Sequence, residues 1–387
     1  MKKVLLHHLL LLVILLGILQ LGHVGAQKSV PAVEAQKPVP ADERKTLELV
    51  FAIDTTGSMG GLIEGAKQRV WGIVNEVMQI ESKPHVRVGL VAYRDRGDQY
   101  VTQITPLTDD LDAVYTKLMD FQAGGGGDTP ENVRRALADA VQKSGWSQSS
   151  SEVAKILFLV GDAPPHEDYQ DEPDTATTVE QAVRQNMIVN TIQCGNIEGT
   201  RAVWQSIALR GEGKYFAIAQ DGGVAVIQTP YDEKLGQLSN QLGGTFMAYG
   251  EAQGQMQAEA RQAGIEGAVA KAAPSVAQAD RALNKAMNSV AYAGDFLQGL
   301  ENGSLKLEAM KEDQLPLALR KLSAAERQQE IDKRLAQRKQ IREQIMQLSK
   351  QRADFIESER KKQTGQTGFD AAVSEALKSQ LAAKGIR

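Results

Sequence analysis

Between residues 46 and 230, short unbroken apolar runs alternate with stretches that are apolar on one side only. Leu47, Leu49, Val50, Phe51, Ala52 and Ile53 read as a strand buried on both faces. Met59–Ile80 follows as a helix, with Leu62, Ile63, Ala66, Val70, Ile73, Val74 and Val77 on one side. Further strands are expected at Val86–Tyr93, Lys155–Val160, Ile188–Gln193 and Lys214–Ala219, with a short edge strand at Tyr100–Ile104. Helices are expected at Asp109–Phe121, Pro130–Lys143, Thr177–Asn186 and Thr200–Arg210. Alternation of this kind predicts an α/β fold: a doubly wound, mostly parallel sheet flanked by helices.

After residue 230 the pattern changes, and 231–387 reads as a helical C-terminal region. Glu233–Leu242 suits a last helix of the sheet domain, and Glu251–Leu300 has the Ala and Gln content of helices. Within 322–362, Ile331, Leu335, Ile341, Ile345, Leu348 and Phe355 trace a narrow apolar stripe compatible with a short coiled coil or a helical hairpin. Arg338 and Arg352 interrupt that stripe, which favours local packing on a neighbouring helix over a dimerisation zipper.

The formal charge of −4 conceals two regions of opposite sign. Residues 46–230 carry 25 acidic against 15 basic residues, and residues 305–362 carry 15 basic against 10 acidic. A basic tail of that kind suits weak association with an anionic membrane surface or with itself. At the other end, Lys2 and Lys3 precede the apolar run Leu9–Leu19 and the small residues Val24-Gly25-Ala26. Residues 1–26 therefore read as a signal peptide and 27–45 as a Pro-containing linker, so the protein is expected to be exported, to a periplasm or outside the cell. Cys194 is the single cysteine, so the fold is expected to stand without an internal disulfide, with a buried and inert thiol.

Candidate chemistry gathers at the ends of the strands, where open parallel sheets bind their ligands. Asp54, Thr56 and Ser58 alternate along the first loop and offer hard oxygen donors, which suit Mg²⁺ better than zinc or copper. The glycine run Gly124–Gly127 leads into Asp128-Thr129-Pro130-Glu131, and the strand at 155–160 leads into Gly161-Asp162-Ala163-Pro164-Pro165-His166. Each has a purely structural reading: Thr129 ahead of Pro130 makes a good helix N-cap, and Ser58 could cap as well.

These three segments together resemble the von Willebrand factor type A domain with its metal-ion-dependent adhesion site. The wording DTTGSM, YRD, GGGGDTPE and GDAPPH is similar to the subgroup that includes hemicentin-like and bacterial secreted proteins. The resemblance implies Asp54, Thr56, Ser58, Thr129 and Asp162 as the metal set, holding Mg²⁺ with Mn²⁺ or Ca²⁺ as alternatives. It implies hydroxyl contacts to the ion, two aspartates acting largely through water, and an open position that takes an Asp or Glu carboxylate of a partner protein. Asp95, Asp128 and His166 are expected beside the ion, with a surface ion pair as the alternative for Asp95. Thr56 departs from the family's serine but keeps the oxygen.

The expectation is therefore an exported, non-enzymatic binding module with a protein partner and no nucleic acid. Two alternatives are carried with it. In the first, the strand ending at Asp54 resembles the haloacid-dehalogenase phosphotransferases, with Asp54 as nucleophile and Asp162 on Mg²⁺, although the second strand ends in Tyr93-Arg94-Asp95 rather than a hydroxyl. In the second, the helical tail is a scaffold that does the binding. A hydrolase using Ser58 and His166 lacks the nucleophile elbow, and the glycine run lacks the P-loop lysine. Arg96-Gly97-Asp98 matches an adhesion tripeptide by chance.

Overall fold

A computed structural model describes residues 45–80, 84–223, 226–288, 290–361 and 368–386. The expected signal peptide, and the expected linker up to residue 44, lie outside the described residues. Six strands form one sheet: β1 (Thr46–Asp54), β2 (His85–Tyr93), β3 (Thr102–Thr108), β4 (Val153–Gly161), β5 (Met187–Cys194) and β6 (Glu212–Ile218). Their order is β3-β2-β1-β4-β5-β6, and only β3, at the edge, runs antiparallel. The order reverses at β1, so the carboxyl ends of β1 and β4 stand side by side at the switch point of the sheet.

Strand side chains alternate between two apolar layers. Leu47, Leu49, Phe51 and Ile53 of β1 join Ile156, Phe158 and Val160 of β4 on one face, covered by α1 (Gly60–Met78) and α2 (Leu111–Met119). Val50, Ala52, Leu157 and Leu159 point to the other, covered by α3 (Val133–Lys143), α4 (Thr175–Arg184) and α5 (Thr200–Arg210). Burial on both faces explains why β1 and β4 read as continuous apolar runs. Cys194 is buried in the first layer, and burial pushes its thiol well above the ordinary range, as an inert core thiol requires.

The helical region comprises α6 (Asp232–Gly243), α7 (Ala252–Ala272), α8 (Ser275–Met287), α9 (Phe296–Glu301), α10 (Ala324–Arg360) and α11 (Phe369–Ala383). It folds back on the sheet rather than standing apart. Asn75 of α1 donates to the Asp280 carbonyl at 2.7 Å, and Arg281 grips Asp112 of α2 through two bonds of 2.6 Å. The last helix, α11, completes the first apolar layer, with the ring of Phe369 6.1 Å from that of Phe51. Gln380 and Asn190 exchange side-chain hydrogen bonds beneath it.

Across 322–362 lies one 37-residue helix, α10, opened by a capping box at Ser323 and Glu326. Ile341 and Ile345 pack against Leu235, Leu238 and Leu242 of α6 and Ala279 and Ala282 of α8. The two arginines that break its stripe are anchors. Arg338 pairs with Asp295 and donates to Thr245 Oγ1 and O at 2.9 and 3.0 Å, and Arg352 joins Asp232 and Asp280 at 2.6 and 2.7 Å. Part of the tail's excess of basic residues is therefore neutralised inside the fold.

Candidate functional site at the carboxyl end of the sheet

The first loop leaves β1 at Asp54, which is fully buried. Its Oδ1 accepts from the backbone N–H and the hydroxyl of Thr56, at 2.8 and 2.7 Å. That arrangement gives the Thr56 proton to Asp54 and leaves its oxygen as an acceptor, 3.4 Å from the Ser58 oxygen. The chain then makes a 3-10 turn, Gly57–Met59, and enters α1, whose N-terminus carries no side-chain cap. Ser58 is thus not a cap.

The glycine loop is pinned from below. Asp98 accepts from Gly126 N–H, and Gly125 O accepts from Gly57 N–H at 3.3 Å. Gly125 has φ of +79°, and a Cβ there would fall 2.3 Å from the Asp98 carboxylate, so a side chain is excluded on both counts. Arg96 and Asp98 of the adhesion-like tripeptide are both engaged within the protein, Arg96 with Asp171 and Glu172.

Beyond the glycines the helix begins later than the Pro130 start expected from the sequence. Glu131 and Pro165 form an isolated parallel bridge, with Glu131 N–H on Pro164 O at 3.0 Å and His166 N–H on Glu131 O at 3.2 Å. This bridge holds 130–132 out of the helix. Asn132 takes over as N-cap, accepting from Arg135 N–H at 3.1 Å. Thr129 is not the cap; it sits exposed on the loop.

Asp162 follows β4 and is buried. Its Oδ2 accepts from Gln220 Nε2 at 2.6 Å, and the same nitrogen lies 3.4 Å from Ser58 O, tying the first and third loops together. Gly161 lets them approach, since a Cβ there would meet the Tyr93 hydroxyl at 2.3 Å and Asp54 Oδ2 at 3.2 Å. The structure thus brings Asp54, Thr56, Ser58 and Asp162 together and places Thr129 on the adjoining loop.

Negative charge is in excess here. Asp54 Oδ2 and Glu131 Oε2 are buried without a hydrogen-bond partner. Burial, then the neighbouring charge of Asp162, pushes the Asp54 carboxyl up to about 7 despite two hydrogen bonds from Thr56. Burial, then Asp54, Asp95, Asp98 and Asp162, pushes Glu131 up to about 9. Arg94, whose charge reaches Asp54, gives its hydrogen bonds to the carbonyls of Thr55 and Gln122.

A family model for the von Willebrand factor A domain matches residues 48–230. That segment is a von Willebrand factor A domain. A stretch of 128 residues of the chain is similar, at 27% identity, to an ariadne-like RING finger protein of Acanthamoeba polyphaga mimivirus. The match covers 32% of this chain and 12% of that protein, so the chain spans about an eighth of that relative's length. Solved structures to which the chain is similar include BatB from Bacteroides thetaiotaomicron, at 17% identity, 45% of this chain, 90% of that one and a TM-score of 0.33. The SpRpn10 von Willebrand factor A domain matches at 15% identity, 46% of this chain, 89% of that one and a TM-score of 0.34.

Two participants at the domain's site were not among the expected site residues. Glu131 belongs to the GGGGDTPE segment but reads in sequence as part of a helix start, and only the bridge to Pro165 turns it inward. Gln220 follows the last strand as an ordinary loop polar residue and carried no signal. Asp95, Asp128 and His166 lie together: His166 Nε2 is 3.2 Å from Asp95 and 3.6 Å from Asp128.

Proposed function

We propose that this von Willebrand factor A domain is a metal-dependent protein-binding module, holding Mg²⁺ through Asp54, Thr56, Ser58, Thr129 and Asp162. The observation that carries this reading is the pair of buried carboxylate oxygens, Asp54 Oδ2 and Glu131 Oε2, that lack any partner in a site with excess negative charge. A buried anion without a counter-charge is costly, and a hard cation beside hydroxyl and carboxylate oxygens removes that cost. When bound, Mg²⁺ supplies an electrophilic centre to which an Asp or Glu side chain of a partner protein can bind. The chain's own groups prepare that event. Asp54 Oδ1 orients the Thr56 hydroxyl, Gln220 steadies Asp162 against the Ser58 loop, and the glycine run keeps the loop that carries Thr129 close.

In this reading the protein works outside the cytoplasm, the N-terminal segment 1–26 serving as its export signal. No described helix is long and apolar enough to cross a membrane. The helical region would carry the domain relative to a surface or assembly.

Calorimetric titration of the full chain with Mg²⁺, wild type beside Asp54→Ala, tests the proposal. Saturable binding in the wild type that weakens more than about tenfold in the variant is expected. Equal affinities would overturn it, and a phosphatase activity lost with Asp54 would move the protein to the phosphotransferase class.

A further inference from the structure

His166 is held on three sides. Its Nδ1 lies 2.8 Å from Asp168 Oδ1, and its ring stacks on Tyr169 with centroids 4.1 Å apart and planes within 9°. A carboxylate on Nδ1 orients the ring and turns Nε2 to the other side as the nitrogen available to a cation. There Nε2 faces two more carboxylates. Asp95 Oδ2 lies 3.2 Å away, outside hydrogen-bonding geometry, and Asp128 Oδ2 lies 3.6 Å away. A ring nitrogen set between two carboxylates calls for something positive among them, a proton or a metal ion.

Two further observations point to that positive occupant. His166 Nε2 and Asp95 Oδ1 are both buried and without a hydrogen-bond partner, on side chains only 9% and 7% exposed. The spacing is also that of a metal site: donors about 2.0 Å from a tetrahedral Zn²⁺ stand about 3.3 Å apart. Tyr169 donates to Asp95 Oδ2 at 2.7 Å, and Asp168 steadies the imidazole, so two of the three donors are already oriented from behind.

We propose that Asp95, Asp128 and His166 form a second cation site that takes Zn²⁺ or a similar borderline transition ion. One imidazole with two carboxylates leaves a coordination position open and favours Zn²⁺ over Mg²⁺, the reverse of the all-oxygen set around Asp54. The three donors come from the segment after β2, the glycine loop and the loop after β4, so an ion here clasps three segments that the fold otherwise joins through a few hydrogen bonds. Asp128, the most exposed of the three, gains most order from it. In so far as the Mg²⁺ reading holds, Zn²⁺ would also set the position of Thr129, the next residue.

The test is calorimetric titration with Zn²⁺ of the full-length Asp54→Ala protein, followed by the same protein carrying His166→Gln or Asp128→Asn. Working in the Asp54→Ala background separates this site from the proposed Mg²⁺ site. His7, His8 and His23 can contribute background binding, so the readout is the difference between proteins. We expect one saturable equivalent that weakens at least tenfold with either substitution. Asp168→Asn, which touches only the far side of the ring, should weaken it about 10–100-fold. Asp128 is exposed, so its replacement leaves the core intact and guards against a misfolded His166 variant. Superimposable titrations for all four proteins, or no equivalent beyond the N-terminal histidines, would overturn the proposal.

Discussion

Two groups of buried carboxylates in this chain are built in opposite ways. In and beside the helical region, each has a cation. Burial alone would raise Asp112, but Arg281 and Lys285 outweigh it and hold the carboxyl down to about 2. Asp232 and Asp280 share Arg352, and Asp295 holds Arg338. At the carboxyl end of the sheet, Asp54 and Glu131 are just as buried, have no basic partner, and are pushed up instead of down. The residue types and the depth are alike, so the contrast comes from pairing. The paired acids cross-link helices, whereas the unpaired ones leave a charge that only a proton or an outside cation can meet.

Removing a cation from the paired set should break the contrast most severely. Arg338→Ala leaves Asp295 fully buried without its cation, and denaturant unfolding should show a loss of about 3–5 kcal/mol. If the loss is under about 1 kcal/mol, the pair is not an anchor. Phe369→Ala tests the seam between the two regions. It opens a cavity against Phe51 in the sheet's own apolar layer, with an expected cost of about 3 kcal/mol in a single transition shared by sheet and helices. Separate transitions for the two regions would show that the seam does not couple them.

The unpaired set predicts a pH dependence of unusual sign. Asp54 and Glu131 are raised from ordinary values of 3.8 and 4.5, so the folded state holds more protons than the unfolded state between those values and about 7 and about 9. In EDTA, stability should therefore fall as pH rises through 7 and towards 9. Asp54→Asn and Glu131→Gln should each flatten the profile, and saturating Mg²⁺ should do the same in the wild type. A thermal midpoint in EDTA that is flat across this range would contradict the argument. The smallest effect belongs to a third class, pairs at the surface: Glu180→Gln, which breaks an exposed contact to Arg184, should change stability by less than about 0.5 kcal/mol.

The contrast also separates what could be read in the sequence from what could not. β1 and β4 were legible because burial on both faces leaves a continuous apolar run, and the gathering of Asp54, Thr56 and Ser58 was legible because they are near neighbours in the chain. Asp162 could be placed from the rule that parallel sheets bind ligands at strand ends. Glu131 was hidden because its orientation depends on a bridge to Pro165, a contact that no local pattern encodes. Arg338 and Arg352 looked like flaws in an apolar stripe because their partners, Asp295 and Asp232 with Asp280, lie 43 to 120 residues away. The role of α11 was unreadable for the same reason: an amphipathic helix does not announce which surface it covers.

That last helix has a consequence for the order of events during synthesis. Phe369 closes over Phe51, and Asp370 binds Arg69 across 301 positions of chain, so the first strand and first helix wait for residues made far later. A nascent chain ending near residue 230 would hold the whole family segment yet leave uncovered the part of the first apolar layer around Phe51 that Phe369 and its helix close. Long-range closure of this kind slows folding and leaves sticky intermediates, a natural opening for a chaperone on the emerging chain.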